Sequence, residues 1–136
     1  MADTRPPAGP RGQVGAAAEA AAVCHLSDKG WAILARNVRL GRDELDIVAL
    51  EPGPPSCLVL VEVRSRSTAA FGSPRESVDA RKVARLYRAG MALRRQGYPG
   101  LDRSIARLPW RVDLLTLVRR AGAWRVEVHV RGLETP

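Results

Sequence analysis

Leu58-Val59-Leu60-Val61 offers no polar face, and it runs straight into Glu62. Strand side chains alternate between the two sides of a sheet. A run that is apolar on both sides therefore belongs to a covered, central strand. A carboxylate at the end of such a strand costs desolvation free energy unless a cation, a metal ion or hydrogen-bond donors compensate it. A second run, Glu44-Leu45-Asp46-Ile47-Val48-Ala49-Leu50, precedes the first across Glu51-Pro52-Gly53-Pro54-Pro55. That linker is a turn, because Pro and Gly disfavour continued strand. Alternation puts Glu44, Asp46 and Val48 on one face of the earlier run, and Leu60, Glu62 and Arg64 on one face of the later run. If the two runs pair, Asp46 and Glu62 converge, with Arg64 two residues further along. Two carboxylates and a cation at one point suit a divalent-metal site built for phosphate chemistry. Taken singly, each acid reads equally as solvated or as half of a plain salt bridge.

The rest of the chain supplies what such a sheet needs on its faces. Gly12 to Leu26 is alanine-rich and reads as a helix that Gly30 stops. Its larger apolar residues, Val23 and Leu26, share a stripe with Glu19, which faces the core unless it reaches water. Trp31 to Arg39 is a strand leading through Gly41 into the Glu44–Leu50 run, and these two with Leu58–Arg64 form an antiparallel meander. Arg66 to Ser73 is a loop. Ser77 to Gln96 is helical, with Val83, Leu86, Gly90 and Leu93 as its apolar stripe and Arg81, Arg85, Arg88 and Arg95 on another face. Lys82 fits either side. Trp110 to Val118 is an inner strand whose one acid, Asp113, is expected to meet Arg111 only across a bend. After a turn at Arg119-Arg120-Ala121-Gly122, a strand from Trp124 alternates Val126, Val128 and Val130 with Arg125, Glu127, His129 and Arg131. His129 is thus expected at the surface. The order αβββαββ gives an α/β fold with a mixed five-stranded sheet, its fourth strand parallel to its neighbour through the helical crossover.

A chain of 136 residues suffices for one domain. Met1 to Arg11, rich in Pro, Ala and Gly, reads as a disordered tail, residues 12–131 as the domain, and 132–136 as a short C-terminal tail. No run of about 18 apolar residues exists to span a membrane, and the N-terminus lacks a signal peptide's apolar core, so a cytoplasmic chain is expected. Cys24 and Cys57 fit no zinc spacing and read as reduced, partly buried thiols. The net charge of +8 accrues wholly after residue 50, and the basic residues are arginine except for Lys29 and Lys82. A positive surface beside a carboxylate pair suits a polyanion; a basic helix face that is merely solvated is the plain alternative.

Several short motifs occur in a specific order: Gly15-x-x-x-Glu19-x-x-Ala22, Gly30-x-x-Ile33-Leu34-x-Arg36-Asn37, Glu44-Leu45-Asp46-Ile47-Val48, Val61-Glu62-Val63-Arg64-x-Arg66 and Arg111-Val112-Asp113-Leu114. Together they resemble the bacterial YraN family. That family is similar to archaeal Holliday-junction resolvases and, by fold, to the restriction-endonuclease-like PD-(D/E)XK nucleases. The resemblance implies a restriction-endonuclease-like sheet flanked by helices. It implies that Asp46 and Glu62 hold Mg²⁺ or Mn²⁺, that Glu19 completes the site, and that Arg64 stands where the pattern has its catalytic lysine. It further implies branched DNA as substrate and a homodimer that cuts two strands symmetrically, while the basic face of the second helix, following the acidic strand, gives DNA-backbone contacts from Arg81, Lys82, Arg85 and Arg88 as a second reading beside plain solvation. An arginine cannot readily lose a proton and presents its donors as a planar fork. An inactive nucleic-acid-binding or protein-interaction module on the same fold is therefore the alternative.

Overall fold

The apolar runs pair as expected. In this computed structural model, which describes residues 9–134 except 67–77 and side chains from residue 15 on, five strands form one sheet in sequence order. They are β1 (Ala32–Leu40), β2 (Asp43–Glu51), β3 (Cys57–Arg66), β4 (Trp110–Arg120) and β5 (Ala123–Val130). β1, β2 and β3 are an antiparallel meander, β3 and β4 are parallel, and β4 and β5 are antiparallel. Helix α1 (Gly9–Asp28) covers one face; α2 (Ala80–Gln96) and a 3-10 turn (Arg103–Arg107) cover the other. β3 lies in the middle, and Leu58 through Val61 are fully buried, as a run without a polar face requires.

The helices differ from expectation in ways the side chains explain. The buried stripe of α1 is Ala18, Ala22 and Leu26, at spacing four, with Val23 and Glu19 only half-buried at its edge. Small alanines let the helix axis approach the sheet. α2 starts at Ala80 rather than Ser77, because Asp79 caps it: its Oδ1 accepts the N–H of Lys82 at 2.8 Å. The expected tail 1–11 and loop Arg66–Ser73 fall largely outside the described residues. The expected tail 132–136 is described to Glu134, and Leu133 is buried, its N–H donating to Val112 O at 2.7 Å. Cys24 is exposed and Cys57 half-buried, both free. Among the described residues no helix is long and apolar enough to cross a membrane.

Asp113 and His129 correct two further expectations. Asp113 is fully buried inside β4, yet Arg111 reaches it without a bend, Nε to Oδ1 at 2.8 Å and Nη2 to Oδ2 at 3.1 Å. An arginine side chain is long enough to lie along the strand over the intervening residue. His129 is not at the surface: its Nε2 lies 2.8 Å from Asp113 Oδ2. The cause is a register shift between Thr116 and Leu117 that leaves Glu127 unpaired in β5. One extra residue swaps the faces of everything beyond it. Val126 therefore packs on the α1 side and Val130 on the α2 side. The N–H of Gly132 also donates to Asp113 at 2.8 Å. Burial pushes the Asp113 carboxyl up, but the bonds from His129, Arg111 and Gly132 outweigh it and hold it below the usual range.

Two predictions follow from this packing. A Cβ added at Gly90 would collide with the Trp110 ring and a Leu60 methyl, so Gly90→Ala is expected to destabilise by about 1–3 kcal/mol in urea unfolding. Asp113→Ala strands Arg111 and His129 beside an empty buried site and is expected to cost about 3–5 kcal/mol by the same measurement.

Candidate functional site

The β2–β3 ladder stops at Ile47–Val61, although β3 goes on pairing with β4 as far as Arg66–Val118. The two strands fork at the acids. On the opposite side, β1 is disturbed at Asn37, whose φ of 53° lies in the left-handed region that Asn tolerates better than most residues. Asn37 falls between the pairs Arg36–Ile47 and Val38–Leu45, directly across from Asp46. Beyond this point β2 is rotated. Leu45 joins Val48 in the α2-side core, whereas Ile47 lies in the α1-side core. Simple alternation would have put Leu45 with Ile47. It would also have put Asp46 with Val48, and that expectation fails.

Asp46 sits in the mouth of the fork and reaches both ways. Its Oδ2 accepts the N–H of Val63 at 2.9 Å, the donor that continued pairing would have given to β2 backbone. On one side a cleft of about 330 Å³ is lined by Gly15 and Glu19 of α1, Arg36 and Asn37 of β1, Asp46 and Val63. Glu19 is bridged there by Arg36 Nε at 3.3 Å. Burial, then the charge of Asp46, push the Glu19 carboxyl up, while Arg36 and Asn37 pull it down less. On the other side Asp46 shares a hydrogen bond with Glu62, and Glu62 Oε2 also meets Arg64 Nη2 at 3.1 Å and Lys82 Nζ at 3.6 Å. Glu62 is 4 % exposed. Burial first, then the charge and the hydrogen bond of Asp46, push its carboxyl up to about 8, with Lys82 and Arg64 acting in the opposite direction.

The structure thus brings together Asp46, Glu62 and Arg64, with Glu19 on the far side of Asp46. Among the described residues no three His, Cys, Asp or Glu side chains form a ready ligand set. A metal here would take two protein carboxylates, Asp46 and Glu62, and fill its shell with water. Mg²⁺ is commonly held in that way, and hard oxygen donors suit Mg²⁺ and Mn²⁺ alike.

The basic residues in the first half of α2 divide into two groups, apart from Arg94 and Arg95 in its last turn. Arg81, Arg85 and Arg88 line an open groove of about 470 Å³ together with Arg42 and Asp43. Arg88 grips Asp43 with two bonds of 2.8 Å, which hold the Asp43 carboxyl below its usual range. Lys82 turns away from this groove toward Glu62. Sequence reasoning missed Asn37, Arg36, Arg42 and Asp43. The signal for the last two was the Gly41-Arg42-Asp43 corner, which any strand connection leaves beside the start of the next element.

Glu62 makes stability pH-dependent. Between roughly pH 4.5 and 8 the folded chain holds a proton that the unfolded chain has released, so this group's contribution falls as pH rises through that window. Glu62→Gln is expected to gain on wild type progressively from pH 4.5 to pH 8.5, by on the order of a few kcal/mol. Unfolding midpoints across that range measure it; a difference independent of pH would contradict the assignment.

Comparisons with known proteins agree with the motif order. A family profile described as "Uncharacterised protein family UPF0102" matches residues 18–117. A UPF0102 protein of Deinococcus radiodurans is 42 % identical over 115 residues, covering 82 % of this chain and 86 % of that one. A UPF0102 protein of Bacteroides thetaiotaomicron is 37 % identical over 119 residues, covering 88 % and 89 %. One from Moorella thermoacetica is 50 % identical over 78 residues, covering 57 % and 60 %. The matched span holds the fork, both acids and the arginine groove, and the chain belongs to the uncharacterised protein family UPF0102, the YraN family.

Proposed function

We propose that this chain is a metal-dependent nucleic-acid hydrolase of the PD-(D/E)XK kind, cleaving phosphodiester bonds in DNA. The observation that carries the reading is the Asp46–Glu62 pair. Two carboxylates are forced together at a strand fork, and one of them is buried and pushed up to about 8. A site that holds acids at such cost, with cations already at hand, is short of positive charge. Strongly displaced acids gather at functional sites more often than elsewhere.

In this reading Asp46 is held in place by the Val63 N–H, so its carboxylate keeps one orientation through the reaction. Glu62 gives up its proton before it can act as a ligand. Arg64 supplies fixed positive charge next to the attacked phosphate. Arg42, Arg81, Arg85 and Arg88 hold the phosphate backbone in the adjoining groove, which sets position rather than sequence preference. A bound Mg²⁺ or Mn²⁺ supplies the activation of water and part of the charge that the phosphate needs. Branched DNA as substrate and a homodimer as the working form come from the likeness to resolvases, and a cytoplasmic setting goes with them.

Arg64 favours one second reading, a nucleic-acid-binding module that does not cut, because a guanidinium stays protonated and binds phosphate well. Nicking of supercoiled plasmid separates the two. Wild type is expected to nick with Mg²⁺ or Mn²⁺, and Asp46→Ala to lose about a hundredfold or more of that rate. Mn²⁺ is expected to raise the melting temperature of wild type and not of Asp46→Ala, since a ligand of the native state stabilises it. Salt-sensitive DNA binding without nicking, with nicking gained in Arg64→Lys, would assign the module reading. No DNA binding and no metal response would reject both.

A further inference from the structure

Glu62 has two cations on a single oxygen, and they are of different kinds. Arg64 comes from the same strand, two residues on. Lys82 comes from α2, across the interface between helix and sheet. Lys82 is the third residue of its helix, and the Asp79 cap on its own N–H fixes where its side chain starts. The chain has 22 Lys and Arg, of which only Lys29 and Lys82 are lysines. Lys29 lies over the Trp31 ring at the closed end of α1. Lys82 is therefore the one lysine near the acid pair. Its side chain is 29 % exposed, so it touches both the buried carboxylate and the solvent from which a phosphate would arrive. An ammonium is a compact point charge on a four-carbon stem with rotatable donors, and it can swing between two oxygen partners. A planar guanidinium bound edge-on cannot do so without breaking its geometry.

We propose that Lys82 is the substrate-contacting cation of the acid pair: it leaves Glu62 to bind the phosphodiester that enters the site. The proposal rests on the hydrolase reading for its catalytic half. In cleavage, the oxygen of a water bonds to phosphorus and the bond from phosphorus to the leaving sugar oxygen breaks. The attacking water's proton goes to solvent, and the leaving oxygen takes one from solvent. Lys82 stays charged throughout and gives charge, not a proton.

The test uses the full chain, with Lys82→Ala, Lys82→Arg and the double variant Arg64→Lys/Lys82→Ala. Binding of a fluorescent duplex is measured in EDTA from 50 to 300 mM KCl, and plasmid nicking in Mn²⁺. A phosphate contact made by a swinging ammonium predicts that the slope of log affinity against log salt falls in magnitude by about 0.9 in Lys82→Ala and is not restored in Lys82→Arg. The catalytic half predicts a loss of nicking of about a hundredfold in Lys82→Ala, partly restored when a lysine is supplied at position 64. An unchanged slope together with an unchanged nicking rate overturns the proposal and leaves the hydrolase reading standing, with Lys82 a structural partner of Glu62. A wild type that binds but never cuts ends the hydrolase reading, and the slope still decides whether Lys82 meets phosphate. A wild type that does not bind DNA overturns both.

Discussion

Val63 needs a hydrogen-bond acceptor, and β2 backbone does not provide one. At the fork the central strand parts from its neighbour, and a half-buried peptide N–H left unpaired there would cost up to about 1–3 kcal/mol. The Asp46 carboxylate takes that donor at 2.9 Å. Through this one bond the end of the ladder, the position of Asp46 and the environment of Glu62 become a single arrangement. The fork gives Asp46 room, Asp46 satisfies the fork, and its charge then bears on both Glu19 and Glu62. Arg36, Arg64 and Lys82 are the responses to that concentration of negative charge.

The molecule treats a second buried acid in the opposite way. Asp113 is as enclosed as Glu62, yet Arg111, His129 and the Gly132 N–H surround it and its carboxyl ends below the ordinary range. Glu62 meets one guanidinium, one more distant ammonium and a like charge, and its carboxyl ends far above. Both acids sit on strands of one sheet with similar burial. The difference is in the partners, so Asp113 is a fastening and Glu62 is an acid kept out of balance. On adjacent rungs of the β3–β4 ladder, one face is thereby assigned to holding the fold and the other to the proposed chemistry.

Much of this could be read from the residues. The covered strand, the order of elements and the parallel crossover follow from the patterning and from the turn at Pro52–Pro55, whereas Asp46 meets Glu62 at a fork where the alternation behind that expectation breaks. What escaped was every place where the period slips by one. Left-handed Asn37 and the rotation of β2 opposite it moved Asp46 off the face of Val48, and the extra residue at Glu127 carried His129 inward. Single-residue irregularities leave almost no compositional trace, because Asn and Glu are ordinary in any strand end. Lys82 was undecidable for another reason: it lies near the start of α2, where its spacing fits either side of the helix. In the structure its ammonium lies 3.6 Å from Glu62 Oε2, on the sheet side.

The segment after β5 acts on the middle of the same helix. Gly132 is tied to Asp113, Leu133 to Val112, and the Tyr87 hydroxyl donates to the carbonyl of Leu133. Tyr87 lies on α2 between the turn that carries Lys82 and the one that holds Gly90 against Trp110. The last described residues thus work as a latch on α2, set more than a helical turn away from the acid pair. Loosening that latch would let the helix slide or tilt and move an ammonium by ångströms without any change at the carboxylates themselves.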